Sequence, residues 1–225
     1  MPEYFHGYVH LLFVGIIALF PVVNPVGSAF IVSSYFTGLS KADKKKAVNK
    51  IVLYAFSICT VSLFAGHWIL ELFGLSVPVI QVAGGIMICK MGWEFLSSDK
   101  KPDTPTAGTD PASTEVNYSN LQDKLFYPIT FPITTGAGTI SVLFTLSAHS
   151  AATDVSQYLV NTSAILLAII IICAMVRFFY LNTKTIIHYL GSNGEKIVNR
   201  LAAFLIFCVG LQIAVTGIRA LVKGG

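Results

Sequence analysis

Charge is scarce in this chain. Only 12% of its 225 residues are Asp, Glu, Lys or Arg, against 54% hydrophobic residues. That balance excludes an ordinary soluble domain of this length. Cysteine is also sparse, and Cys59, Cys89, Cys173 and Cys208 all lie in apolar segments. No Cys-x-x-Cys spacing occurs, so neither a disulfide frame nor a cysteine metal set is expected, and the four read as small buried apolar residues. The N-terminus lacks the basic n-region and small-residue cleavage site of a removed leader, so none is expected. No Ser–His or Asp–Asp arrangement suggests an enzyme. The formal charge of +4 is carried by particular loops, so it does not point to nucleic acid.

Long apolar runs are abundant. Six spans are expected, at roughly 8–36, 49–73, 78–97, 125–148, 155–180 and 195–222. Lys and Arg sort cleanly between the connections. Twelve of the fifteen lie in or beside the loops after spans 1, 3 and 5, and the loops after spans 2 and 4 carry none. By the positive-inside rule those three loops face the cytoplasm, and both termini face outward. Residues 98–120 are rich in Pro, Ser, Thr and Asp and read as a disordered polar linker. The expected organisation is a three-span unit over 1–97, a cytoplasmic linker over 98–124 and a second three-span unit over 125–225.

Within span 1 lies FPVVNPVG, residues 20–27. Pro21 and Pro25 each remove a backbone donor and crowd the carbonyl four residues back. Lipid offers no partner for a freed carbonyl, so such a break needs protein or a water-lined cavity around it. FPITTGAG, residues 131–138, aligns on it without gaps: Phe20 on Phe131, Pro21 on Pro132, Gly27 on Gly138, and then Ser28 on Thr139. Asn24 falls opposite Thr135, and Pro25 opposite Gly136. Paired interruptions in matching halves are the sequence signature of a transporter binding site. Spans 3 and 6 align more weakly, with Gln81 on Arg200 and Cys89 on Cys208.

Each half has three spans, so the second enters the membrane from the opposite side. The expected fold is therefore an all-α polytopic membrane protein of six spans, two inverted repeats with spans 1 and 4 broken. Helix restarts near Pro25 and near Gly138–Thr139 would present unpaired amides at Gly27, Ser28, Gly138 and Thr139 to an anion. Gly27, Gly136 and Gly138 would admit a ligand close to the backbone. Asn24, Ser28, Thr134, Thr135 and Thr139 would supply hydrogen bonds, and free carbonyls before each restart would suit an ammonium. A small zwitterion fits both ends. His67 with Glu71 reads as an interfacial i,i+4 pair rather than a proton relay, and Lys90 with Glu94 as a satisfied or snorkelling i,i+4 pair rather than a transport gate. Gly66 and Gly84–Gly85 read as helix-packing positions.

The NPVG at 24–27, the AGG at 83–85 and the P-x-x-x-G-x-G-x-I at 132–140 resemble the MarC family, which includes the SnatA-type small neutral amino acid transporters. The likeness runs from span 1 to span 6, with the linker outside it. It implies a six-span inner-membrane protein that carries small neutral amino acids such as alanine and glycine. The motif residues that carry over are Asn24, Pro25, Gly27, Pro132, Gly136 and Gly138, with Ile140 behind them. Two positions depart: Phe30 stands where many members have Pro, and Ala137 stands within what is often Gly-Pro-Gly. Ala137 restores a donor, so a softer or partly helical second break is expected. The family name reflects an association with multiple antibiotic resistance, so a non-transporting membrane module or an efflux protein is the alternative. No cofactor is called for, a coupling sodium ion or proton is left open, and so is a homo-oligomer. Tags on both termini should be reached by impermeant reagents from outside intact cells; cytoplasmic termini would refute the charge argument.

Overall fold

The computed structural model describes residues 2–97, 118–150 and 154–223; within these, some side chains, including His67, are outside the description. Every regular element among the described residues is helical. In order they are α1 (Pro2–Val23), α2 (Pro25–Ser33), α3 (Lys41–Leu72), α4 (Val77–Ser97), α5 (Tyr118–Lys124), a wide-turn segment Leu125–Thr134, α6 (Ala137–Ser150) and α7 (Val155–Lys223). Five stretches are long and apolar enough to span a membrane: His6–Phe36, Lys41–Gly66, Val77–Ser97, Val155–Ile186 and Arg200–Lys223. A pair bent by 63°, Leu121–Thr134 with Ala137–Ala148, makes a sixth if it is one span. Most of the 98–124 linker, residues 98–117, lies outside the described residues; its remainder, Tyr118–Lys124, is helix.

Local chemistry sets the helix ends. Ser40 caps α3 by accepting from the Asp43 amide at 3.1 Å. At the other end Gly74 takes φ +62°, and Leu75 N–H donates to the Leu70 carbonyl at 2.8 Å, a Schellman closure. The lysine-rich start of α3 is tied to α7, where Lys44 Nζ donates to the Leu181 carbonyl at 3.0 Å. Arg177 Nε donates to Asn49 Oδ1 at 3.0 Å. These two bridges set α3 antiparallel to the first part of α7.

Glycine lets α4 and the end of α7 meet backbone to backbone. A Cβ on Gly85 would lie 2.5 Å from Ala214 N and 2.6 Å from the Gly210 carbonyl. One on Gly210 would lie 2.6 Å from Cys89 N and 2.8 Å from the Gly85 carbonyl. Gly92 meets Phe207 N and the Ala203 carbonyl, and Gly217 meets the Pro78 carbonyl and Val82. The contacts are reciprocal, each residue of α4 exchanging places with one 125 positions on: 85 with 210, 92 with 217, 89 with 214 and 78 with 203. The structural pairing of spans 3 and 6 is therefore not the Gln81–Arg200, Cys89–Cys208 register suggested by the sequence. Apolar matches slide easily along two helices, whereas backbone approach fixes which glycines face each other.

Gly66 and Gly84 are packing positions as the sequence suggests: a Cβ would strike Phe144 and Ser147 from the first, and Ser141 from the second. Lys90 and Glu94 form an exposed pair at 3.8 Å. The core lies between α1, α3 and α7, with Leu19, Val22, Ile51, Leu63, Ile165 and Ile169 buried. Gly85→Ala should lower the unfolding free energy by about 1–3 kcal/mol, the usual range for overpacking. Gly74→Ala strains one turn but meets no neighbouring atom. Thermal unfolding in detergent that ranks Gly85→Ala no worse than wild type would refute the close approach.

Candidate functional site

The two breaks share a register in sequence but differ in form. The first is a single residue. Asn24 sits in the left-handed region, φ 45° and ψ 65°, where Asn is tolerated better than most side chains. Pro21 lies inside α1, which runs on past it to Val23. The turn around Pro21 is held because Asn24 N–H still donates to the Phe20 carbonyl at 2.9 Å. Pro25 opens α2 at a position whose amide has no helical acceptor anyway.

The amides expected to be free in the first break are engaged. Gly27 N–H donates to Asn24 Oδ1 at 3.1 Å, and Ser28 N–H to the Asn24 carbonyl at 2.9 Å. Ser28 Oγ adds a second donor to that carbonyl at 2.8 Å. Asn24 is thus the N-cap of α2, and Gly27 is what its side chain folds over: a Cβ on Gly27 would lie 2.2 Å from Asn24 Nδ2.

The second break is longer than the first and partly helical, in wide turns. Tyr127 and Phe131 take extended conformations, and the Tyr127–Pro128 and Phe131–Pro132 peptides are cis. YPIT and FPIT follow one another over 127–134. Threonine hydroxyls satisfy the carbonyls five residues back: Thr130 Oγ1 to Leu125 O at 2.6 Å, Thr134 Oγ1 to Ile129 O at 2.7 Å and Thr135 Oγ1 to Thr130 O at 3.1 Å. Thr135 is extended, where its sequence partner Asn24 is left-handed. The helix restarts at Ala137, whose restored amide adds a first residue to α6 without shortening the break.

Beyond the restart, Gly136 accepts from Ile140 N–H at 3.2 Å. Gly138 packs, since a Cβ there would lie 2.9 Å from Ile88 Cγ1 and 3.1 Å from Val22 Cγ1. It is a contact between α6, α1 and α4 rather than an open approach to backbone. Thr139 is fully buried, and its Oγ1 has no hydrogen-bond partner. Thr60 and Thr162 share that lack, but they sit within unbroken helix. Only Thr139 of the three stands in the first turn of a restarted helix, beside amides that have no helical acceptor.

What joins the breaks is a residue the sequence did not single out. Tyr180 of α7 is fully buried, and its hydroxyl lies 2.8 Å from Thr134 Oγ1. Ser28 of the first break is buried close to the same phenol, its own hydroxyl donating to the Asn24 carbonyl. Beside this junction is a cavity of about 10 Å3, lined by Leu19, Val23, Thr134, Thr135, Cys59 and Cys173 among others. That is about the threshold for one water and far too small for an amino acid. Cys59 and Cys173 are free and buried, as their apolar setting suggests. Tyr180 sits among aromatic and basic residues at the end of an apolar run, where a tyrosine ordinarily marks an interface, so nothing in the sequence flags it.

The chain matches the MarC family of integral membrane proteins over residues 9–222. The UPF0056 inner membrane proteins MarC of Escherichia coli strain K12 and of Shigella flexneri are each 26% identical to it over 215 residues, 93% of this chain and 94% of theirs. No solved structure matches it. Removing the Asn24 cap with Asn24→Ala, or displacing it with Gly27→Ala, should each cost about 1 kcal/mol of stability. Equal melting of both variants and the wild type would mean that the cap is not formed.

Proposed function

The chain belongs to the MarC family of integral membrane proteins, and from that premise we propose that it is a transporter of small neutral amino acids such as alanine and glycine. The ligand site is the junction of the two breaks. The observation that carries this reading is the buried, unpartnered Thr139 hydroxyl in the first turn of α6. A buried hydroxyl without a partner costs about 1–3 kcal/mol, and a polar ligand at the restart would relieve that cost.

The occupied amides at Gly27 and Ser28 shift the carboxylate to one side. It binds at the start of α6, near Gly138 and Thr139, where the helix dipole favours negative charge. The ammonium goes to the carbonyl side, at the Pro21 carbonyl, which Pro25 leaves without its helical donor, with Thr135 between the two. Asn24 holds α2 in place with its side chain and its carbonyl. Both termini face outward, and the two halves are inverted repeats. The reciprocal glycine contacts between α4 and α7, and the register of the breaks, support that relation. The inner membrane is the location named for the relatives. Among the described residues no three His, Cys, Asp or Glu side chains gather as a metal site would require. The coupling ion, sodium or proton, is set by the same experiment that tests transport.

Thr139→Val separates stability from function. It replaces an unsatisfied hydroxyl with a methyl of the same shape, so the protein should melt at the same temperature or higher. Uptake of labelled alanine and glycine by proteoliposomes, with and without sodium or proton gradients, should be saturable in the wild type and fall at least tenfold in this variant. Full uptake by Thr139→Val removes Thr139 from the site. No uptake by folded, inserted wild type favours the alternative, a membrane module that acts on drug resistance through another protein, and partner capture would then be the next test.

A further inference from the structure

We propose that Tyr180 is the latch of this site: its phenol, bonded to Thr134, holds the second break closed beside the first, and the site opens when that phenol leaves Thr134. The proposal rests on the junction being the ligand site but not on the identity of the ligand.

Three observations converge. The first is position. Tyr180 is fully buried on α7; its hydroxyl is 2.8 Å from Thr134 Oγ1 of the second break and lies close to Ser28 of the first. The second is the bonding. Ser28 Oγ donates to the Asn24 carbonyl and Thr134 Oγ1 to the Ile129 carbonyl, so the phenol's one proton goes to Thr134 Oγ1. A single hydrogen bond therefore ties the phenol to the second break, and a ligand N–H at Thr134 Oγ1 can replace it. The third is what lies beside it. Cys173, Val176 and Tyr180 recur at helical spacing on one face of α7. Cys173 and Val176 line the small cavity with Thr134 and Cys59. Withdrawing the phenol from between the breaks joins its own volume to that cavity. A tyrosine ring is large enough that its departure turns a water-sized gap into a ligand-sized one.

The native thiols report the opening without any ligand. In a Cys89→Ala/Cys208→Ala background, Cys59 and Cys173 are the remaining cysteines and both are buried. Their reaction with a membrane-permeant maleimide should be slow, and Tyr180→Phe, which keeps the ring and deletes only the hydroxyl, should speed it about tenfold, the shift expected when one buried hydrogen bond is lost. Thr134→Val removes the other end of the same contact and should act alike, with Tyr180→Phe/Thr134→Val no faster than the faster single variant. A background that keeps only Cys89, in the α4–α7 contact, should label at an unchanged rate. Unchanged labelling of Cys59 and Cys173 in folded Tyr180→Phe overturns the latch. So does equal acceleration at Cys89, which would mean general loosening. If Tyr180→Phe does not fold, Thr134→Val carries the same test. Because no substrate is present, a failure here is separate from a failure of uptake.

Discussion

Backbone N–H and C=O groups inside an apolar bundle must find partners within the protein, and this structure is shaped by how it meets that demand at two places where proline breaks a span. At Asn24 the remedy is compact. One left-handed residue supplies a side-chain acceptor for Gly27, while its carbonyl takes both donors of Ser28. At 125–135 the remedy is extended. Two prolines are followed by threonines whose hydroxyls reach carbonyls five residues back. The same requirement, met with Asn in one half and Thr in the other, gives breaks of different length from an ungapped alignment.

Those remedies leave little unpaired, which is why the exceptions are informative. The α2 start is closed on itself, so it offers less to an anion than proline and glycine alone suggest. The α6 start keeps a buried hydroxyl without a partner. The junction between them is occupied by Tyr180, whose phenol bonds Thr134. An asymmetric site of this kind distinguishes the two ends of a zwitterion, one at a helix start and one at a carbonyl, more sharply than a symmetric pair of helix starts does.

Much of this was legible in the residues. The apolar runs place the spans, and NPVG and GAG place the helix restarts within one or two residues, because proline and glycine act locally. The packing role of Gly66 and Gly84–Gly85 follows from small residues in apolar helix. What escaped is what depends on the partner helix. Gly138 reads as an open approach until Ile88 and Val22 are found against it. The register of span 3 on span 6 is set by backbone contact across four glycines, not by matching cysteines. Tyr180 belongs to the site only because α7 passes between the two breaks, and no spacing along the chain encodes that.

The most direct measurement is an experimentally determined structure of the protein with saturating alanine. The expected result is alanine at the junction, its carboxylate at the first turn of α6 beside Thr139, its ammonium at the Pro21 carbonyl, and the Tyr180 phenol withdrawn from Thr134. Alanine bound elsewhere, with the phenol still on Thr134 and Thr139 still unpartnered, would contradict it.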